Sequence, residues 1–380
     1  MRSFSLASLV VTLVAIIAAL VYEQVSSKVV TSAAAQESRT LTVLAGAGQD
    51  TADILAFFPQ NITVRAGDTI SWKQNSDSPH TVSFFGSFPG PGSDNRFAPP
   101  GTLIPNANLP VADRPGVTRF NPVSAYPFPG PEANGTVYRP GDFVSSGRMA
   151  GVPRTPGLDE IKEFSLTFDV PGTYFYLCVT HADQMQGRVE VLPADAAQAP
   201  SQAEIDATAR AEMDVILGLV ERETAQRTNM RSEPGPNNNT VWYVSAGNHW
   251  FQITDERASL QEFMPKNLTI TAGDTVVWGS TGFHSVTFNP TPPMPELRYL
   301  ETLPDGTQAI INNPVMFNPV KPAAAYDPTK FFNSGNLSSA QPNGTGWTLT
   351  FNTPGTYEYV CGVHEALGMK GTVTVVPRSA

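Results

Sequence analysis

Cysteine and histidine are scarce in this chain, with 2 Cys and 5 His among 380 residues. Two thiols cannot staple a disulfide scaffold. Charge is thin as well: Asp, Glu, Lys and Arg make up 15% of the residues, well below the usual share. The net formal charge of −10 argues against a protein held on nucleic acid by phosphate contacts. No Ser/His/Asp arrangement, phosphate-cradling loop or zinc signature is present. What the chain has in quantity is turn residues, 34 Pro and 30 Gly, beside an aromatic content of 9%. That aromatic content excludes a disordered chain and fits short strands joined by long turns. The length suits two domains, each able to bury its own core.

Residues 6–22 form an uncharged apolar run behind Arg2, the pattern of a secretory n-region and h-region. Ala33, Ala34 and Ala35 offer a small-residue cleavage site. The run of 17 residues also reaches the short limit for spanning a bilayer. Residues 1–36 are therefore expected to be a signal peptide or an N-terminal membrane anchor through residues 6–22, with the rest of the chain extracytoplasmic: periplasmic, cell-surface or secreted.

Self-comparison exposes an internal repeat. NITVRAGDTISW (61–72) returns as NLTITAGDTVVW (267–278), and HTVSF (80–84) as HSVTF (284–288). FSLTFDVPGTY (164–174) returns as WTLTFNTPGTY (347–357), and each copy closes on an alternating strand, GRVEV (187–191) or GTVTV (371–375). Period-two runs of β-branched and aromatic residues between turn signals predict an all-β sandwich or barrel, built twice. The copies span residues 40–193 and 237–377. His80 precedes Cys178 by 98 positions, whereas His284 precedes Cys361 by 77. The excess falls in a Pro/Gly-rich insert, 88–156, expected to run as surface loops. Between the copies, in a linker over 194–236, Ile205, Ala209, Met213, Ile216 and Val220 recur at helical spacing, with Ser201 and Glu204 placed to cap the start. A polar hinge is expected over 232–239.

Each copy carries one early His and a late cluster of Cys, His and Met. The clusters are CVTHADQM (178–185) and CGVHEALGM (361–369). Two imidazoles, a thiolate and a soft thioether make the ligand set of a trigonal copper site with a weak axial bond. Gln184 offers an amide oxygen as an alternative axial donor beside Met185, but the M-x-G-x-V frame shared by Met185 and Met369 favours the thioether.

On these residues both copies resemble cupredoxins of the plastocyanin and azurin kind. The resemblance implies two tandem Greek-key β-sandwiches joined by a helical linker, each holding one type 1 copper ion that cycles between Cu(I) and Cu(II). It implies His80, Cys178, His181 and Met185 as ligands in the first domain, and His284, Cys361, His364 and Met369 in the second. His181 and His364 are further expected near the surface, beneath an apolar patch where a redox protein docks.

Counting then narrows the function. Two mononuclear sites use four of the five His, and no H-x-H motif occurs. Only His249 is left over, and in GNHW (247–250) it reads as a turn residue. The trinuclear cluster of a multicopper oxidase and the second copper of a nitrite reductase both need more histidines than remain. The chain is thus read as an exported carrier of single electrons rather than an enzyme. A copper storage or delivery module is the alternative, and a copper oxidoreductase with a substrate site in the 88–156 insert comes third. Partner identity and oligomeric state have no signature in the sequence.

Overall fold

The computed structural model describes residues 37–379 except 50, 86–107, 112, 121–132, 151–160, 182–183, 226–230, 249–253, 291–293, 305, 307 and 338–345. The N-terminal segment 1–36 and His249 therefore lie outside the described residues. No described helix is long and apolar enough to cross a membrane.

Each sequence repeat folds as a pair of facing sheets with the same strand order. In the first domain Thr40–Gln49 runs parallel to Asp68–Gln74, which pairs antiparallel with Glu163–Phe168. In the second, Thr240–Ala246 runs parallel to Asp274–Gly279, which pairs antiparallel with Trp347–Phe351. The opposing sheets are built alike: Asn61–Arg65 runs parallel to Gln186–Leu192, and Asn267–Thr271 runs parallel to Lys370–Val376. Parallel neighbours cannot be joined by a hairpin, so the chain crosses between sheets, as in a Greek-key sandwich.

Side chains alternate as the period-two pattern requires. Phe164, Leu166 and Phe168 point inward from one strand, and Trp347, Leu349 and Phe351 from its counterpart. The two cores are near copies of each other. Trp72 meets Tyr176 at a ring separation of 5.3 Å and Trp278 meets Tyr359 at 5.5 Å, each pair edge-on.

The Ala-Gly-Asp turns are built around their carboxylates. Asp68 accepts the backbone N–H of Arg65 at 2.9 Å and of Arg39 at 3.1 Å. Asp274 does the same with Thr271 at 3.0 Å and Thr240 at 2.9 Å. Arg39 and Arg378 close ion pairs on these two buried carboxylates, at 2.6 Å and 2.9 Å. One side chain thereby fixes the turn it sits in and the start of a second strand.

Gln202–Ala225 is the linker helix. Glu204 accepts the backbone N–H of Ser201 at 2.8 Å, closing the expected cap. Its buried face, including Ala209, Ile216 and Val220, shares a core with Ile54, Phe58 and Leu260. That core takes residues from both domains as well as the linker.

Two expectations are corrected here. The hinge over 232–239 is structured: Arg231–Pro234 pairs antiparallel with Thr240–Ala246, and Pro236–Asn238 forms a 3-10 turn. Parts of the 88–156 insert are structural as well. Asn108–Pro110 and Thr118–Phe120 pair with each other, and Thr118–Phe120 joins the second-domain hairpin of Arg298–Thr302 and Gln308–Asn312 at Ile311. Arg114 reaches Glu301 at 3.0 Å across this seam. At a second seam Ala258–Leu260 adds an antiparallel strand to the first-domain sheet beside Ala52–Phe58. Backbone bonds from Gln261 to Thr51 (2.6 Å) and from Leu55 to Arg257 (2.7 Å) extend it. Free strand edges satisfy their polar groups by pairing, and here they pair across the domain boundary.

Candidate metal centres

His80, Cys178 and His181 converge in the first domain, and His284, Cys361 and His364 in the second; in each group the donor atoms all lie within 4.8 Å of one another. Cys178 Sγ stands 3.5 Å from His181 Nδ1, and Cys361 Sγ 3.5 Å from His364 Nδ1. In the second domain the Nδ1 atoms of His284 and His364 are 3.1 Å apart. Nitrogen and sulfur donors bound at about 2.0 and 2.3 Å to one tetrahedral ion sit roughly 3.2–3.8 Å from each other. The spacing therefore fits a single small metal ion. His80 Nδ1 is buried and has no hydrogen-bond partner, a costly state for a polar atom that a metal ion would resolve.

The early histidine is held from behind. Ser76 Oγ lies 2.8 Å from His80 Nε2, which leaves Nδ1 for the donor cluster. Gly46, in a left-handed conformation, lies against the ring so closely that a Cβ there would fall 2.3 Å from His80 Nε2. Gly247, with φ of +65°, stands in the same relation to His284 Nε2, again at 2.3 Å. Neither glycine drew attention in the sequence. The recurrence of Ala-Gly at 45–46 and 246–247, on matched strands, was the signal that could have found them.

The residue after each early histidine ties the two ligand-bearing segments together. Thr81 donates its backbone N–H to Cys178 Sγ at 3.3 Å, and Thr81 Oγ1 accepts the N–H of Val179 at 2.8 Å. Ser285 repeats both contacts with Cys361 Sγ at 3.4 Å and Gly362 at 2.9 Å. This is what the Thr or Ser of the H-[TS]-V string does. A further repeat sets SSGRM (145–149) against NSGNL (333–337). Ser146 Oγ accepts the N–H of Val82 at 2.9 Å, and Ser334 Oγ that of Val286 at 2.8 Å. Met149 then exchanges backbone bonds with His80, while Leu337 donates to the carbonyl of His284. The end of the presumed loop insert is thus the strand that clamps the first histidine.

Met185 and Met369 are buried in the same core clusters as Cys178 and Cys361. Each closes its ligand loop through the backbone: Cys178 donates to Met185 at 2.9 Å and Cys361 to Met369 at 3.0 Å. The second loop takes up its extra residue in the 3-10 turn Glu365–Leu367, which ends at Gly368 with φ of +81°. Gln184, the alternative axial donor, is exposed and its amide nitrogen bonds to the carbonyl of Glu256 at 2.6 Å. It turns to the second domain instead of the donor cluster.

Burial sets the charge state of the donor side chains. It holds His80 well below the ordinary histidine range, with the neighbouring His181 adding to the effect. Burial lowers His181 and His284 to about 4, so these imidazoles are neutral and their lone pairs free at neutral pH. It pushes both thiols up. A cation entering the site must therefore displace the thiol proton, which couples metal binding to proton release.

Comparison with known proteins agrees with this chemistry. Residues 251–376 match the model of the copper binding proteins, plastocyanin/azurin family. Plastocyanin of Prochlorothrix hollandica is 33% identical over 124 residues, which cover 32% of this chain and 67% of that protein. Plastocyanin of Scenedesmus fuscus is 30% identical over 115 residues, covering 30% of this chain and 85% of that protein. The chain belongs to the plastocyanin/azurin family of copper-binding proteins. Both domains of this cupredoxin present a His-Cys-His group able to hold a metal ion, one per domain, and the metal is copper. Among solved structures, an amicyanin mutant in its Cu(I) form aligns with 18% identity and a TM-score of 0.21, covering 40% of this chain and 82% of its own. A mutant fern plastocyanin aligns with 21% identity and a TM-score of 0.20, covering 35% of this chain and 99% of its own. At those scores the sandwich assignment rests on the strand order alone.

The surroundings of the later histidines differ from the expected docking patch. His181 and His364 are the more exposed members of their groups, yet both border a cavity between the domains rather than an open face, its wall mixing Leu55, Phe283, Leu297 and Val363 with Ser78, Thr180 and Gln261.

Proposed function

We propose that the protein is an exported, two-domain carrier of single electrons between redox proteins outside the cytoplasm. His80, Cys178 and His181 would hold copper in the first domain and His284, Cys361 and His364 in the second, with Met185 and Met369 as weaker thioether donors. Bound copper supplies the chemistry by cycling between Cu(I) and Cu(II). The residues supply a fixed frame, so that an electron moves with little rearrangement. One observation carries the reading: in each domain the thiol and both imidazoles converge on backbone already locked by the Thr81 or Ser285 bonds. A frame held by backbone and hydroxyl bonds, apart from the ligand atoms themselves, suits retention through many redox cycles better than hand-over. With both Cys and four His committed, little remains from which a catalytic second copper could be built. Export rests on the apolar run at residues 6–22 and on its basic residue, Arg2.

The test is reductive titration of the copper-loaded protein followed by reoxidation in the presence of a Cu(I) chelator. The proposal expects one electron per copper and full recovery of the visible spectrum. Loss of copper to the chelator on reduction would instead support a delivery module.

A further inference from the structure

The cavity between the domains measures about 460 Å³. One imidazole from each donor set, His181 and His364, lines it, and His284 borders it as well. In both later histidines Nδ1 lies in the donor cluster, 3.5 Å from the sulfur, so the remainder of the ring is what reaches the cavity. The two candidate copper centres thus present imidazole rings to the same cavity.

We infer that this cavity joins the two centres electronically, so that an electron taken up by one domain passes to the other within the same chain. The inference rests on the electron-carrier reading above. Electron tunnelling falls off exponentially with the gap, so a fixed gap with a ligand ring on either side favours exchange over collision between separate chains. The gap here is fixed by backbone pairing. Ala258 and Ser259 line the cavity and belong to the strand that the second domain adds to the first-domain sheet. Arg298 lines it from the hairpin that pairs with Thr118–Phe120. Gln184, one residue before Met185, bonds across to Glu256 and stitches the first ligand loop to the second domain. The exchange balances by itself: one centre loses an electron as the other gains it, no bond forms or breaks, and no proton or further reactant is needed.

Two measurements on the copper-loaded full chain test this. The first is pulsed EPR of the fully oxidised protein. A dipolar coupling between the two Cu(II) ions is expected, and it disappears in Cys361→Ser; an uncoupled wild-type spectrum overturns the inference. The second is a rapid one-electron pulse on Met185→Gln, whose altered axial donor separates the spectra and potentials of the two sites. Electrons landing at random are expected to redistribute in a phase whose rate is independent of protein concentration. A redistribution rate proportional to concentration, or none, contradicts exchange inside the chain. Should Met185→Gln fail to load copper, Met369→Gln serves with the direction reversed. In Cys178→Ser and Cys361→Ser the remaining copper should still reduce and reoxidise reversibly. If it does not, the carrier reading itself has failed, an outcome distinct from two working sites that do not exchange.

Discussion

Gly46 and His80 are packed so that a single added methyl group at Gly46 would strike Nε2 of the ring at 2.3 Å. The contact works as a mould: no larger residue fits there without rotating the imidazole. Gly46→Ala is therefore expected to tilt His80 and weaken copper binding in the first domain about 10- to 100-fold, the usual cost of disturbing a ligand's support. Gly247→Ala should do the same in the second domain. Chelator competition measured on each variant, with the other domain as internal reference, checks this.

Ser76 provides the complementary support. Removing its hydroxyl in Ser76→Ala leaves His80 Nε2 without the partner now 2.8 Å away. Copper affinity of the first domain should drop by roughly tenfold, with the second domain unchanged. Equal loss from both domains in a competition experiment would contradict the assignment.

Asp68 and Asp274 make stability depend on pH. Burial pushes the Asp68 carboxyl up, but its hydrogen bond from the Arg39 side chain and those from the backbone of Arg65 and Arg39 outweigh it, so the group sits below its ordinary value. Asp274 is likewise lowered: burial raises it, and the N–H groups of Thr240 and Thr271 prevail. A depressed folded-state pKa gives stability that is complete above the unfolded value and lost as pH falls through the folded one. Thermal stability should therefore fall below pH ~4, and Asp68→Asn should flatten that dependence. Asp68→Ala, which leaves Arg65 buried opposite a void, is expected to cost about 3 kcal/mol.

Ile216 tests the three-way core beneath the linker helix. It is 1% exposed and packs with residues of both domains. Ile216→Ala should destabilise the fold by about 2–4 kcal/mol, read from denaturant midpoints.

Much of this was legible in the sequence because the chain states it twice. The repeated NITVRAGDTISW and H-[TS]-V strings carry the strand pattern, and the recurring C-x2-H with its Met marks the donor sets. What escaped was local support made by residues with little chemistry of their own. Gly46 and Gly247 act by lacking a side chain, and Ser146 and Ser334 act through one hydroxyl each. The SSGRM string was hidden because it ends a Pro/Gly-rich insert that reads as loop. The cross-domain seams escaped for another reason. Strands of three residues, such as Ala258–Leu260, are too short for a period-two signal, and their pairing depends on where the two sandwiches meet.

Copper content determined together with the visible spectrum of the purified protein tests the central claim most directly. Two coppers per chain are predicted, with an intense thiolate-to-copper absorption that falls by about half in Cys178→Ser and again in Cys361→Ser, each thiolate serving one site. A single copper, three or more coppers, or two coppers without that absorption would contradict the account.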